Sequence, residues 1–320
     1  MRLPKLIVTA VTAICVASSA QADAQEPAKE IMLIVPHAAG TGVDAVARSL
    51  LAPLQTTLER TVVVDNRVGA SGAIGSASVA RAKPDGTTIM LNANPPFVTF
   101  PLTQDRPLYN PMADFKPLAR VGTVPMVLVV SAQSETKTLE QLLAFAKSHP
   151  AKANYASPGV GSAGYLAMER LKAKYGLRFE EVLYKSTPQS LIDVTAGHVL
   201  AAFSSLPAAS SLIEGGKLRA LAVGSTARIS QLPATPTLAE LTGEVDFLAN
   251  VWYGFLAPAG ISDAMAEQLY AGISKAFATE AAQRALRSQG IVPELQSPKE
   301  FERSLALDDK AARRVMRGNP

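Results

Sequence analysis

The sequence predicts an α/β fold built from two successive units, each a mostly parallel sheet flanked by helices. Short apolar, β-branched runs alternate with stretches of helical periodicity, as right-handed βαβ crossovers require. Both units carry one pattern, a strand, a G-x-G loop and a helix start, at residues 31–48 and again at residues 154–175. Near Val124 the pattern restarts, and the last third reads as a return to the first unit. With 48% hydrophobic and 18% charged residues, the chain can bury a full core and is long enough for two domains.

Residues 1–24 stand outside this fold. Arg2 and Lys5 precede an apolar stretch from Leu6 to Val16, and Ala20-Gln-Ala22 and Ala22-Asp-Ala24 are small-residue cleavage sites, the make-up of an export signal peptide. The apolar run falls short of the ~20 residues a membrane span needs, so no direct membrane insertion is expected. Cys15, the only cysteine, lies in this leader, and Ile14 before it is too large for a lipoprotein cleavage site. The mature chain is therefore expected in the periplasm, without disulfides or thiol chemistry. Loss of the leader takes the formal charge from +4 to +3, too small and too evenly spread to indicate nucleic acid.

Residues 31–35, five consecutive apolar residues, suit a parallel strand covered on both faces. Pro36, with no N–H for the ladder, stops it. Gly40 and Gly42 allow a sharp turn and close backbone approach. Apolar residues at 43, 46, 47, 50, 51, 54 and 58 mark a helix that Pro53 is expected to kink or divide. Such a connection aims unsatisfied N–H groups and the positive dipole end at a crevice, an anion site needing no lysine or arginine. A tight βα turn without a ligand is the alternative. Residues 61–64 form a second strand, residues 67–75 a second glycine loop opening a helix to Ala82, and residues 88–91 a third strand. Its end, residues 92–96, is polar and rigid, as a site-lining loop would be.

In the second unit, residues 125–130 form a strand, and Thr138 with Gln141 makes a capping box for a helix to Ser148. Strand 154–157, glycine loop 158–164 and helix 165–175 follow. Strand 182–183, helix 188–196, strand 200–203, short helix 208–214 and strand 218–223 complete a unit of about 120 residues. A strand at 252–257, helices at 262–278 and 280–289, and a last helix announced by Ser297, Pro298 and Glu300 end the chain. The basic residues 310–317 are read as that helix's solvated end.

Catalysis finds little support. The chain lacks an H-E-x-x-H pair, a nucleophile elbow and a Walker loop. His149 and His198 sit in surface-type contexts, and His37, in the first glycine loop, has no paired acid or nucleophile. No cofactor and no metal are expected. The rival reading is a dinucleotide-binding oxidoreductase, since Gly40-Thr-Gly42-Val-Asp-Ala45 fits G-x-G-x-x-G/A and Asp65 follows about 25 residues later. Against it, residues 36–39 separate the strand from the first glycine, and export sends the chain where free NAD is scarce.

Val35-Pro-His-Ala-Ala-Gly-Thr-Gly-Val-Asp44 resembles the V-P-F-x-P-G-G-x-x-D loop of the Bug, or tripartite tricarboxylate transporter receptor (TctC-like), solute-binding proteins. Val64-Asp-Asn-Arg-Val-Gly-Ala-Ser-Gly-Ala-Ile-Gly75 resembles the family's E-N-R-x-G-A-G-G-N-I-G, and Ala82-Lys-Pro-Asp-Gly86 its A-x-P-D-G. Tyr155-Ala-Ser-Pro-Gly-Val-Gly-Ser162, Pro233-Ala-Thr-Pro-Thr237 and Trp252-Tyr-Gly-Phe-Leu-Ala-Pro-Ala-Gly260 follow in the family's order. The resemblance implies a two-domain periplasmic-binding-protein type II-like fold with a ligand cleft between the domains. Residues 25–124 and 248–320 are expected to form the first and residues 125–247 the second. It also implies a small carboxylate held mainly by backbone N–H groups and ordered waters. The implied partners are tripartite membrane transporter subunits or a sensor, and a monomer is expected. His37, Ala39, Thr41, Tyr165 and Ser204 depart from the family's usual Phe, Pro, Gly, His and Asp.

In the expected mechanism the open form takes a carboxylate through His37, Ala38, Ala39, Gly40, Thr41, Gly42 and Val43. Ser71, Gly72 and Asn94 line the same side. The second lobe then closes, bringing Ser157, Gly159, Gly161, Ser162 and Ala163 onto the far end, with the corner that holds Lys185 and Ser186. Lys185 has two readings, pairing with a second carboxylate or supporting the corner. Asp44 is read as a first-turn acid favourable to the helix dipole. Ser204 and Ser205 are expected just past a strand, either facing the ligand or capping the next helix. With no acid left for an amine, the expected ligand is a di- or tricarboxylate or aromatic acid without an amino group, its body between His37 and Tyr165.

Overall fold

The computed structural model describes residues 30–184, 187–244, 247 and 249–316. The first run holds β1 (Glu30–Val35), α1 (Gly42–Leu58), β2 (Thr61–Asn66), α2 (Ala73–Ala80), β3 (Thr88–Ala93) and α3 (Pro96–Thr99). β4 (Phe115–Ser131) leads to α4 (Leu139–Ser148), β5 (Asn154–Ser157), α5 (Ala163–Tyr175), β6 (Glu180–Leu183) and α6 (Thr187–Ala196). Then come β7 (Ala201–Ser205), α7 (Leu206–Glu214), β8 (Leu218–Val223) and α8 (Leu238–Thr242). β9 (Asn250–Pro258), α9 (Asp263–Phe277), α10 (Glu280–Ser288), β10 (Val292–Gln296) and α11 (Pro298–Met316) complete the described chain.

The strands form one hydrogen-bonded path, β2-β1-β3-β9-β4-β7-β5-β6, with β10 and β8 also on β4. β1 is parallel to β2 and β3, and β5 to β6 and β7, as the crossovers predict. β4 runs antiparallel to all four of its partners, which makes each half mixed. Its partners change at one point: Pro125 still faces Asn250 of β9, whereas Met126 faces Ser205 of β7.

Both faces of each half are covered. Along β1, Ile31, Leu33 and Val35 pack with α1, α9 and α10, while Ile34 joins α2, α3 and α11 on the opposite side. The two-residue period thus places every apolar side chain of the strand in a core. In the other half, α4, α5 and α8 cover one face and α6 and α7 the other.

Three expectations change. α1 is one helix, not divided at Pro53, with Leu50 and Leu54 fully buried on either side of it. That tertiary burial outweighs the hydrogen bond the proline withholds. β4 begins ten residues before the predicted strand, at Phe115 rather than Pro125. Pro117 and charged Lys116 and Arg120 disguise it; Pro117 lies at a register shift, and Arg120 is buried with its guanidinium 3.2 Å from Glu294 of β10. β10 itself is absent from the sequence reading because Pro293 interrupts it at a register shift.

Candidate functional site

The end of β1 meets the start of α1 in an exposed loop, and the hydrogen bonding there sorts its N–H groups. Thr41 occupies the N-cap, yet its hydroxyl donates back to Ala38 O at 2.8 Å and gives the helix no cap. Its own N–H goes to Ala38 O at 3.2 Å. The N–H groups of Gly42, Val43 and Asp44 have no protein acceptor among the described residues, so the positive end of a 17-residue helix is open. Val43 offers only its N–H, because its side chain is in the core.

Asp44 corrects two expectations. It is buried, and its carboxylate accepts from Gly40 N–H at 2.8 Å, Arg48 Nε at 2.9 Å and Asn66 Nδ2 at 3.0 Å. Burial alone would raise its carboxyl, but the bonds from Arg48, Gly40 and Asn66 win and hold it below the usual range. Asp44 is therefore a brace for the loop, not only a dipole partner, and Gly40 N–H is committed to it. Asn66 Nδ2 also donates to His37 O at 2.9 Å, tying the loop to β2.

His37 lies against the second glycine loop. Its Nε2 is 3.1 Å from Asn92 Oδ1, while Asn92 Nδ2 donates to Ser76 Oγ at 3.1 Å. Burial pushes the imidazole's pKa down against the opposing Asn92 bond, so at neutral pH His37 brings a neutral ring to the crevice. A Cβ at Gly72 would stand 3.2 Å from Pro36 O and 3.5 Å from His37 Cε1, which is why that loop can close over the first. From Gly69 to Gly72 all four residues have positive φ, including Ala70 at 46° and Ser71 at 54°. Ser71 is exposed, and its hydroxyl makes no hydrogen bond among the described residues.

Asn94 is a structural bracket. Its Oδ1 accepts Trp252 N–H at 2.7 Å and its Nδ2 lies 3.4 Å from Asp308 Oδ2, which also accepts Trp252 Nε1 at 2.6 Å. Asn94 and Asp308 line a cavity of about 70 Å3 with Thr99, Ala163, Leu166 and Asn250. Thr99 joins the two halves: its hydroxyl lies 2.8 Å from Pro95 O and 3.0 Å from Gly161 O.

The loop before α5 satisfies itself more fully. Ser157 is buried and its Oγ accepts Gly159 N–H at 2.9 Å, while Ser162 Oγ caps α5 by accepting Tyr165 N–H at 3.2 Å. The N–H groups of Gly161, Ala163 and Gly164 have no acceptor among the described residues. Tyr165 is half-buried against the core under α5. Ser204 and Ser205 lie within β7, not beyond it: Ser204 is buried with its hydroxyl 3.3 Å from Ser205 O, and Ser205 precedes α7 without a side-chain cap. Lys185 and Ser186 fall outside the described residues.

The profile described as the tripartite tricarboxylate transporter family receptor, TctC, matches residues 46–317. The chain belongs to that family. Protein BugT of Bordetella pertussis is 34% identical to it over 274 residues, 85% of this chain and 83% of BugT. A TctC solute binding protein from Polaromonas shares its fold with a TM-score of 0.83 at 28% identity, covering 92% of this chain and 99% of that one. An R. palustris protein solved with adipate gives 0.71, also at 28% identity, over 92% and 98% of the two chains.

For a TctC receptor the dinucleotide reading falls away, and Asp65, its proposed ribose acid, is bonded to Arg67 Nε at 2.8 Å. Among the described residues there is no group of His, Cys, Asp or Glu that could hold a metal ion, and no helix long and apolar enough to cross a membrane. Two residues at the site, Thr99 and Asp308, have no marker in the sequence pattern; Asn92 falls in the polar loop read as site-lining, and Tyr253 is marked only as part of the Trp252–Gly260 run. Tyr253 stands across from Ala93, at the carboxyl end of β3. Knowing that β9 pairs with β3 would have found it; the Trp252-Tyr253 motif alone does not say which way the ring points.

Proposed function

We propose that this receptor captures a small carboxylate without an amino group, at the open N-terminus of α1, in a cleft between two lobes. The lobes are residues 25–124 with 248–320 and residues 125–247; the change of partners along β4 between Pro125 and Met126 supports that division. The observation that carries the reading is the set of unpaired N–H groups at Gly42, Val43 and Asp44, beside a neutral His37 and an Asp44 whose carboxylate is fully engaged. Hydrogen bonds from such donors to an ionised carboxylate are worth about 1.5–3 kcal/mol each, and the helix end adds a few tenths to ~1 kcal/mol. An ammonium would find no free acid there. The adipate bound by the R. palustris relative is a dicarboxylate, in keeping with this chemistry.

The Gly159–Ala163 loop and the Lys185–Ser186 corner would meet the ligand's far end on closure, and the closed shape is what a membrane transporter subunit or a sensor would read. Residues 1–24 direct the chain to the periplasm, where it acts as a monomer. The test is a thermal-shift and calorimetric panel of adipate, succinate, glutarate, terephthalate, aspartate and glutamate on the mature protein. A ligand at 100 times its Kd should stabilise the fold by about 2.7 kcal/mol. Tightest binding by aspartate or glutamate, or no binding by any acid, would overturn the reading.

A further inference from the structure

We infer that Tyr253 is a ligand-binding residue, its hydroxyl donating to the carboxylate that the α1 N-terminus holds; this rests on the proposed function. Tyr253 is on β9 with its ring on the α1 side of the sheet, in the same core cluster as Val43 and Val46. Its register partner Ala93 ends β3, which places Tyr253 at the edge where open α/β sheets bind ligands. Only 8% of the residue is exposed. Its hydroxyl nevertheless has no hydrogen-bond partner among the described residues, and it is not one of the sealed unpaired atoms. A hydroxyl so placed calls for a partner from outside the chain.

Gly42 supports the same assignment. A Cβ at that position would come 2.7 Å from the Tyr253 hydroxyl, so the phenol oxygen lies against the first residue of α1, beside the open N–H groups. Gly42 does not have a positive φ. The glycine is therefore required not by backbone conformation but by the space the hydroxyl takes. Burial raises the phenol's pKa, so the group remains a donor at neutral pH. A carboxylate can use this donor and the backbone N–H groups together, which makes Tyr253 the side chain that orients it.

The test is calorimetry of adipate, succinate, glutarate and terephthalate on wild type, Tyr253→Phe, Gly42→Ala and the double variant. Tyr253→Phe should keep the wild-type melting temperature of the ligand-free protein within a few degrees and weaken the acids by about 10- to 100-fold, the loss of one hydrogen bond to a charged group. Gly42→Ala should also weaken binding, and adding it to Tyr253→Phe should cost less than it does alone. In the wild type, the tyrosine 13Cζ resonance that disappears in Tyr253→Phe should shift when acid is added, which a merely structural tyrosine would not do. If wild type binds the acids while Tyr253→Phe binds them equally and the resonance does not move, the assignment to Tyr253 fails alone. If wild type binds none of them, the carboxylate reading fails and this assignment with it.

Discussion

The β1–α1 and β5–α5 units share a sequence pattern but cap it differently. At α1 the N-cap residue, Thr41, turns its hydroxyl away from the helix, and the loop is braced from below by Asp44. At α5 the N-cap residue, Ser162, takes up the Tyr165 N–H while those of Ala163 and Gly164 stay open, and Ser157 holds the turn. One helix keeps its three first-turn donors open and turns its own first-turn acid back to the loop; the other spends a side chain on one of them. A glycine loop between strand and helix thus creates the opportunity for an anion site, and the cap decides how many of its donors remain open.

Removing the Asp44 brace has the largest expected effect. Asp44→Ala leaves Gly40 N–H without its acceptor and takes one of two acceptors from Asn66 Nδ2, and should destabilise the protein by about 3 kcal/mol and abolish carboxylate binding. Little of that comes from the ion pair, because Arg48 is half-exposed and screened. Ser162→Ala, the matched change in the other unit, should cost only ~1 kcal/mol and leave affinity within a few-fold. Denaturant melts with calorimetry on both variants separate the two cases; equal losses of affinity would erase the distinction.

A change of opposite sign sharpens it. Thr41→Asp supplies the cap that α1 lacks and puts a carboxylate where the ligand's should sit. It should raise stability by about 0.5–1 kcal/mol while lowering affinity for adipate and its relatives by at least about 100-fold. A stabilised variant that still binds would place the anion elsewhere.

Much of this architecture is legible in the amino-acid sequence, for physical reasons that differ by element. Residues 31–35 read as a covered strand because every side chain is apolar, and the Thr138 and Ser297 signals at helix starts are local. The first half of β4 and β10 escape because prolines and Arg120 contradict the pattern until a partner strand absorbs them. The site divides in the same manner. The glycine loops announce themselves, but the role of Asp44 depends on Asn66, 22 residues away. Asn94 depends on Trp252, 158 residues away, and Tyr253 depends on which strands pair. Whether an N–H is free is a property of the folded loop, as the commitment of Gly40 to Asp44 illustrates.

Two half-buried groups give a smaller, pH-dependent contrast. His37 has a folded pKa below its ordinary 6.5, so the unfolded chain binds the extra proton; its contribution is complete above about pH 6.5 and erodes as the pH falls. Asp308 is the reverse. Burial raises its carboxyl from 3.8 to about 6, so its contribution is complete below pH 3.8 and is lost as the pH rises to about 6. His37→Gln should therefore reduce the loss of stability on acidification, and Asp308→Asn should reduce the loss on going from pH 4 to 6. Unfolding free energies of each variant against wild type, across pH 4–7.5, check both signs.

The open end of α1 is tested most directly by following backbone amides in a 15N–1H correlation spectrum as the tightest-binding acid of the panel is added. The amide protons of Gly42, Val43 and Asp44 should move downfield as they gain a charged acceptor, while those of Gly40 and Tyr165, already bonded to Asp44 and Ser162, should shift far less. Unchanged resonances at Gly42, Val43 and Asp44 in a protein saturated with ligand would contradict the account.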